Sequence, residues 1–140
     1  YNPKKNPVFY KKLLKKNKGL VFKPLIGYSQ EQLLSLYRTS TLYIDFGSFP
    51  GQERIPKEAA LNGCLILTGK NGASSYHKDV PIPEEDKIES KEENINLIYE
   101  RINYLLNNYD KEIKSFTEYR EMVKTTEERF SNLIRNLIKT

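Results

Sequence analysis

The chain has one cysteine, one histidine, one methionine and no tryptophan. A lone cysteine leaves no internal disulfide, so the fold must rest on a hydrophobic core. Cys64 opens an apolar run and reads as a small buried hydrophobe, not a nucleophile. His77 sits in a polar loop, where a lone histidine is ordinarily solvated. Zinc-ligand spacing is missing. Asp45, Glu53, Glu58 and Asp79 are scattered, and no metal is expected. Walker lysine, GxSxG and GxGxxG motifs are missing too, as are repeats and low-complexity tracts. No apolar run approaches the ~18 residues of a membrane span, and no signal peptide is visible. A reducing cytoplasm is the expected compartment.

What is present suits a single domain of 140 residues, 38% hydrophobic and 29% charged. The charge is uneven. Residues 1–18 hold seven lysines and no acid, whereas residues 84–140 hold 13 acids and 10 basic side chains. The net charge of +5 therefore originates near the first helix. A lysine run of this kind is usually a solvated face. It also makes the first helix a candidate for phosphate binding or peripheral contact with an anionic membrane. Nucleic acid is not expected, because no reading motif is present.

The stretch 42–72 organises the rest. Leu42–Phe46 reads as a buried strand, and 47–51 as a loop with two glycines and a proline. A helix follows, with Pro56 in its first turn and Gly63 as its stop. Cys64–Thr68 is a second strand, closed by a glycine-bearing loop over 69–73. Strand, helix and strand in 27 residues make a βαβ crossover. Both glycine loops then lie at the carboxyl edge of a parallel sheet, where open α/β folds bind ligands. The helix near Arg54 turns its N-terminus, which favours anions, to the same edge.

Along the chain, 1–5 reads as the end of a strand whose beginning is cut off. Asn6 is expected to cap a helix opened by Pro7, with Phe9, Leu13 and Leu14 facing the core and Gly19 as its stop. Leu20–Ile26 is expected as a strand, at an edge or a bulge because of Pro24. Ser29 with Gln32 forms a capping box for a helix that buries Leu33, Leu34 and Tyr37. Val80–Pro83 is extended, and 84–93 is a polar linker or loop. Two helices finish the chain, the second with an apolar stripe from Ile113 to Ile138. That last helix crosses back over the sheet or meets something outside this chain. The reading is one domain, with an α/β core over 1–83 and a helical part over 84–140. Its fold class is α/β, a Rossmann-like, mostly parallel sheet flanked by helices.

The text VFKPLIGYSQEQLLSLYRTSTLYIDFG, PGQERIPKEAALNGCLILTG and NGAS resembles the C-terminal, donor-binding domain of glycosyltransferases with the two-domain GT-B architecture. The segments YNPKK, YIDFG and ERIPKEAAL resemble more closely a small, little-characterised bacterial group of that class. The likeness spans most of the chain to about Pro83; the rest matches only as helices. It implies transfer of a sugar from a nucleotide-diphosphate sugar to an unidentified acceptor, in bacterial surface glycan synthesis. The nucleotide sugar is substrate, and no cofactor is implied. It places Glu58 where the family's glutamate accepts bonds from the ribose hydroxyls. Gly47 and Ser48 correspond to the family's Ser/Gly loop, and Gly51 to a glycine beside the diphosphate. Gly72 and Ala73 match the next loop, and Lys4 or Lys5 would neutralise the diphosphate. Arg54 is a second diphosphate candidate, with bidentate geometry. Glu53 and Arg54 are the catalytic candidates.

One position departs from the pattern. Retaining members usually carry a second glutamate eight residues before the ribose one, and Pro50 stands there. The bland alternative for Glu53, Arg54 and Glu58 is first-turn helix electrostatics with an i,i+4 pair. The resemblance also implies an N-terminal acceptor domain of the same parent chain, absent here, so the isolated chain should bind donor without efficient turnover. A non-catalytic assembly module and a different phosphate binder are the rival readings.

Overall fold

The computed structural model describes residues 1–51 and 53–139. Helix α1 (Pro7–Lys15) opens on Pro7, whose fixed φ suits a first turn. Asn6 does not cap it. Its backbone is left-handed (φ 61°), and its side-chain amide donates to the Phe46 carbonyl at 3.0 Å. Asparagine tolerates that conformation, so this residue fastens the turn to the end of a strand instead of to its own helix. Phe9, Tyr10 and Leu13 are buried, while Lys11, Lys12, Lys15, Lys16 and Lys18 face solvent.

Residues 20–26, expected as a strand, form no ladder of their own. The Leu25 amide donates to the Tyr1 carbonyl at 2.8 Å, and the Tyr1 amine donates to the Lys23 carbonyl at 3.2 Å. Those two bonds flank Pro24 as in a parallel pair, and they leave its donorless nitrogen facing outward. Helix α2 (Gln30–Thr39) carries the expected capping box: Gln32 N–H donates to Ser29 Oγ at 3.2 Å, and Ser29 N–H to Gln32 Oε1 at 2.9 Å.

Strands β1 (Leu42–Asp45) and β2 (Leu65–Thr68) pair in parallel, Leu42 opposite Leu65 and Asp45 opposite Thr68. Helix α3 (Arg54–Leu61) is the crossover between them. It ends at Asn62, and Gly63 takes the positive φ (96°) that reverses the chain into β2. Every residue of β2 is buried, which is why its sequence shows no alternation. The protein is therefore α/β, built on a two-stranded parallel sheet.

The segment after Pro83 is not a linker. Lys87 forms a parallel bridge with Thr68, and the Ile88 amide donates to the Thr68 carbonyl at 2.9 Å. Asp86 is fully buried and accepts from Arg101 Nε at 2.7 Å. A segment that looks polar thus lies against β2 because a helix supplies its counter-ion.

The C-terminal part has an extra break. Helix α4 (Ile95–Asn107) ends at Asn108, whose side chain donates back to the Tyr104 carbonyl at 2.8 Å. Helix α5 (Tyr109–Glu112) and a 3-10 turn (Ile113–Phe116) precede α6 (Thr117–Lys139). Phe116, Tyr119 and Val123 are buried, and α6 lies against α3. The expected burial stops there. Phe130 is 63% exposed and Ile138 79%, so the outer half of the stripe is uncovered by the described residues. Among those residues, no helix is long and apolar enough to cross a membrane.

Candidate functional site

The carboxyl end of β1 carries Asp45, buried beneath the loop that follows. Its two oxygens accept from Tyr43 Oη at 2.8 Å and from the Gly47 amide at 3.0 Å. Burial pushes the Asp45 carboxyl above the ordinary carboxylate range; those two bonds and nearby Lys5 pull the other way. Lys5 lies directly over Gly47, where a β-carbon would overlap the lysine side chain. Gly47 is thus small to admit Lys5, and it is itself buried.

The Lys5 ammonium donates to Glu53 Oε2 at 2.6 Å, and the two side chains are 31% and 23% exposed. Lys5 also stands 6.0 Å from the centre of the Phe49 ring. Glu53 occupies the N-cap position of α3 but makes no capping bond. Its carboxylate reaches back to the first loop instead. Lys4, the alternative diphosphate candidate, is exposed on that loop.

The two glycine loops are stitched together. Phe49 pairs with Gly72 in a parallel bridge, the Ala73 amide donates to the Phe49 carbonyl at 2.7 Å, and Phe49 N–H donates to Asn71 O at 3.2 Å. Beside this seam lies a cavity of about 440 Å³ lined by Ser48, Phe49, Pro50, Gly51, Gly72, Ala73, Tyr76 and Asp79. Gly51 has nothing within 4 Å of where a β-carbon would stand, so the backbone is open there.

Arg54 and Glu58 occupy the outer rim of α3, their charged atoms 3.8 Å apart. Both Glu58 oxygens lie 3.3 Å from Gln30 Nε2, at the start of α2. The Glu58 side chain is 17% exposed, neither sunk in the core nor free in solvent. It does not line the cavity shared by Gly51 and Gly72.

Nothing among protein-family models, curated proteins or solved structures matches this chain.

What the chain can do is therefore read from its own geometry. The expected residues fall into three neighbouring groups. Lys5, Gly47 and Glu53 gather over Asp45; Ser48, Gly51, Gly72 and Ala73 line the cavity; Arg54 pairs with Glu58, which also meets Gln30. Sequence reasoning missed Tyr76, Asp79 and Gln30; it centred the chemistry on 45–58 and 69–74 without giving Asp45 a role. Asp45 had a usable signal, a carboxylate at a strand end before a glycine loop. Gln30 had none, because its partner is 28 residues away.

Two other features are set apart from these groups. A second, more apolar opening, about 360 Å³, lies between residues 20–25 and β1 and includes Cys64. Cys64 Sγ donates to the Tyr37 carbonyl at 3.1 Å, and burial pushes its thiol up to about 12, so it is no thiolate nucleophile. His77 pairs with Glu118 of α6 at 3.1 Å in the open. Among the described residues, no group of three or more metal-ligating side chains comes together.

Proposed function

We propose that this chain is the nucleotide-sugar-binding half of a two-domain glycosyltransferase, with a Rossmann-like sheet as its frame. The observation that carries this reading is a single juxtaposition. Two ion pairs, Lys5–Glu53 and Arg54–Glu58, stand in neighbouring groups with the open backbone at Gly51 around the loop and first turns that follow β1, on the carboxyl side of a parallel pair. A diphosphate asks for cations and free backbone N–H groups. A ribose asks for a fixed carboxylate that accepts two O–H bonds. In such transfer the protein chiefly positions the donor and stabilises charge on the departing diphosphate. The acceptor would be met by an N-terminal domain of the same parent chain.

Calorimetric titration of the folded chain with UDP, GDP and ADP tests this. Binding of at least one, weakened by Glu58→Ala, is the expected result. No binding to any of the three overturns it.

A second reading is favoured by the uncovered apolar stripe of α6, including Phe130 and Leu133, together with Pro50 at the position of the usual second glutamate. In it the chain is a non-catalytic donor-like module that serves for assembly. Light scattering after size exclusion separates the two: a stable oligomer that binds no nucleotide supports the module. The lysines of α1 keep contact with an anionic membrane as a subsidiary proposal. Co-sedimentation with phosphatidylserine vesicles tests it, and no pelleting above phosphatidylcholine controls removes it.

A further inference from the structure

We infer that Glu53 is a placeholder for the anionic ligand: its carboxylate occupies the Lys5 ammonium when the site is empty and must give way when a diphosphate arrives. This rests on the donor-binding reading above and adds a mode of regulation to that same site. The pair joins two loops 48 residues apart at 2.6 Å. It is only partly buried, so solvent and ligand can reach both partners.

Three features make the carboxylate a stand-in and not a fixed strut. Glu53 sits where a helix N-cap residue would satisfy backbone donors, yet its side chain makes no such bond. It is therefore held by Lys5 and not by α3. It also bears on Asp45 beneath, where its negative charge opposes ionisation of a second carboxyl. Finally, the stem of Lys5 is seated on Gly47 through its Cβ and Cδ, so its approach to the site does not depend on Glu53 alone.

The electrostatics set the direction of the effect. An ammonium has three donors and can touch two anions at once. A phosphate on the same ammonium would nevertheless lie close to the Glu53 carboxylate, and like charges at that range repel. Whether Glu53 swings away or stays, it opposes ligand binding. A neutral isostere removes that opposition.

The test compares UDP and inorganic pyrophosphate binding by calorimetry to the whole chain, to Glu53→Gln, and to the double variant Lys5→Met/Glu53→Gln. Glu53→Gln is expected to tighten both ligands by about fivefold or more, the low end of a coupling between sites. The double variant is expected to lose that gain. Should Glu53→Gln fail to fold, Glu53→Asp, whose shorter side chain loosens the pair, is expected to tighten binding in the same direction by less. A Glu53→Gln chain that binds no tighter than the parent, while the parent does bind, overturns the placeholder and leaves the donor-binding reading standing. Folded chains that bind neither ligand in any form overturn the placeholder, and the donor-binding reading falls with it when GDP and ADP also fail to bind.

Discussion

The backbone of Phe49 passes so close to Gly72 that a β-carbon on Gly72 would overlap the Phe49 carbonyl oxygen. Gly72 also has a positive φ of 64°. This glycine serves the seam between two loops, whatever ligand the neighbouring cavity takes. Gly72→Ala should therefore destabilise the chain by at least about 2 kcal/mol, from left-handed strain plus the displaced loop. Gly51→Ala, with open space around it, should stay within about 0.5 kcal/mol. Urea denaturation of the two variants checks the contrast.

Glu58 and Gln30 make a second contrast. Glu58→Ala should weaken nucleotide binding by about 1–3 kcal/mol, the scale of a lost charged hydrogen bond. It should change stability little, because its contacts with Arg54 and Gln30 lie at the rim. Calorimetry and denaturation on the same sample distinguish a ligand contact from a helix strut.

Asp45 sets a pH dependence. Burial raises its folded pKa above the unfolded value, so its contribution is fully present below the unfolded value, near pH 4, and is lost as pH rises through the folded pKa. Asp86 shifts in the same direction, so total stability does not isolate either group. The difference between the parent chain and Asp45→Asn does. Asparagine can keep both the Gly47 and Tyr43 contacts. The variant's advantage should be least in acid and grow on going to neutral pH, as read from urea midpoints across that range.

Lys87 is a buried cation without a hydrogen bond. Its ammonium stands 3.9 Å from Glu84, and burial lowers its pKa. Lys87→Met should raise stability by about 1–3 kcal/mol at neutral pH by removing an unsatisfied group. The gain should shrink in alkali as the lysine neutralises. Thermal melts at pH 7 and pH 10 check both signs.

Much of the frame was legible locally. The capping box of Ser29 and Gln32, the stop at Gly63 and the two apolar runs joined by a helix are short-range signals, and each stands where expected. The failures share one cause. Asn6 bonds 40 residues away, Asp86 finds Arg101 on a later helix, and Phe130 stays exposed among the described residues where periodicity alone would bury it. Nothing in a local window reports such partners.

The site divides in the same way. Residue order alone determined that Gly47, Glu53 and Glu58 would follow one strand and that Gly72 would follow the next, because a parallel crossover sends successive strand ends to one edge. Only the tertiary structure decided what each does there. It seated Lys5 on Gly47 and tied it to Glu53, spent Gly72 on Phe49, and turned Glu58 toward Gln30. Propensity and pattern act within a few residues of the chain, whereas ion pairs and close approaches depend on which distant segments the core brings together.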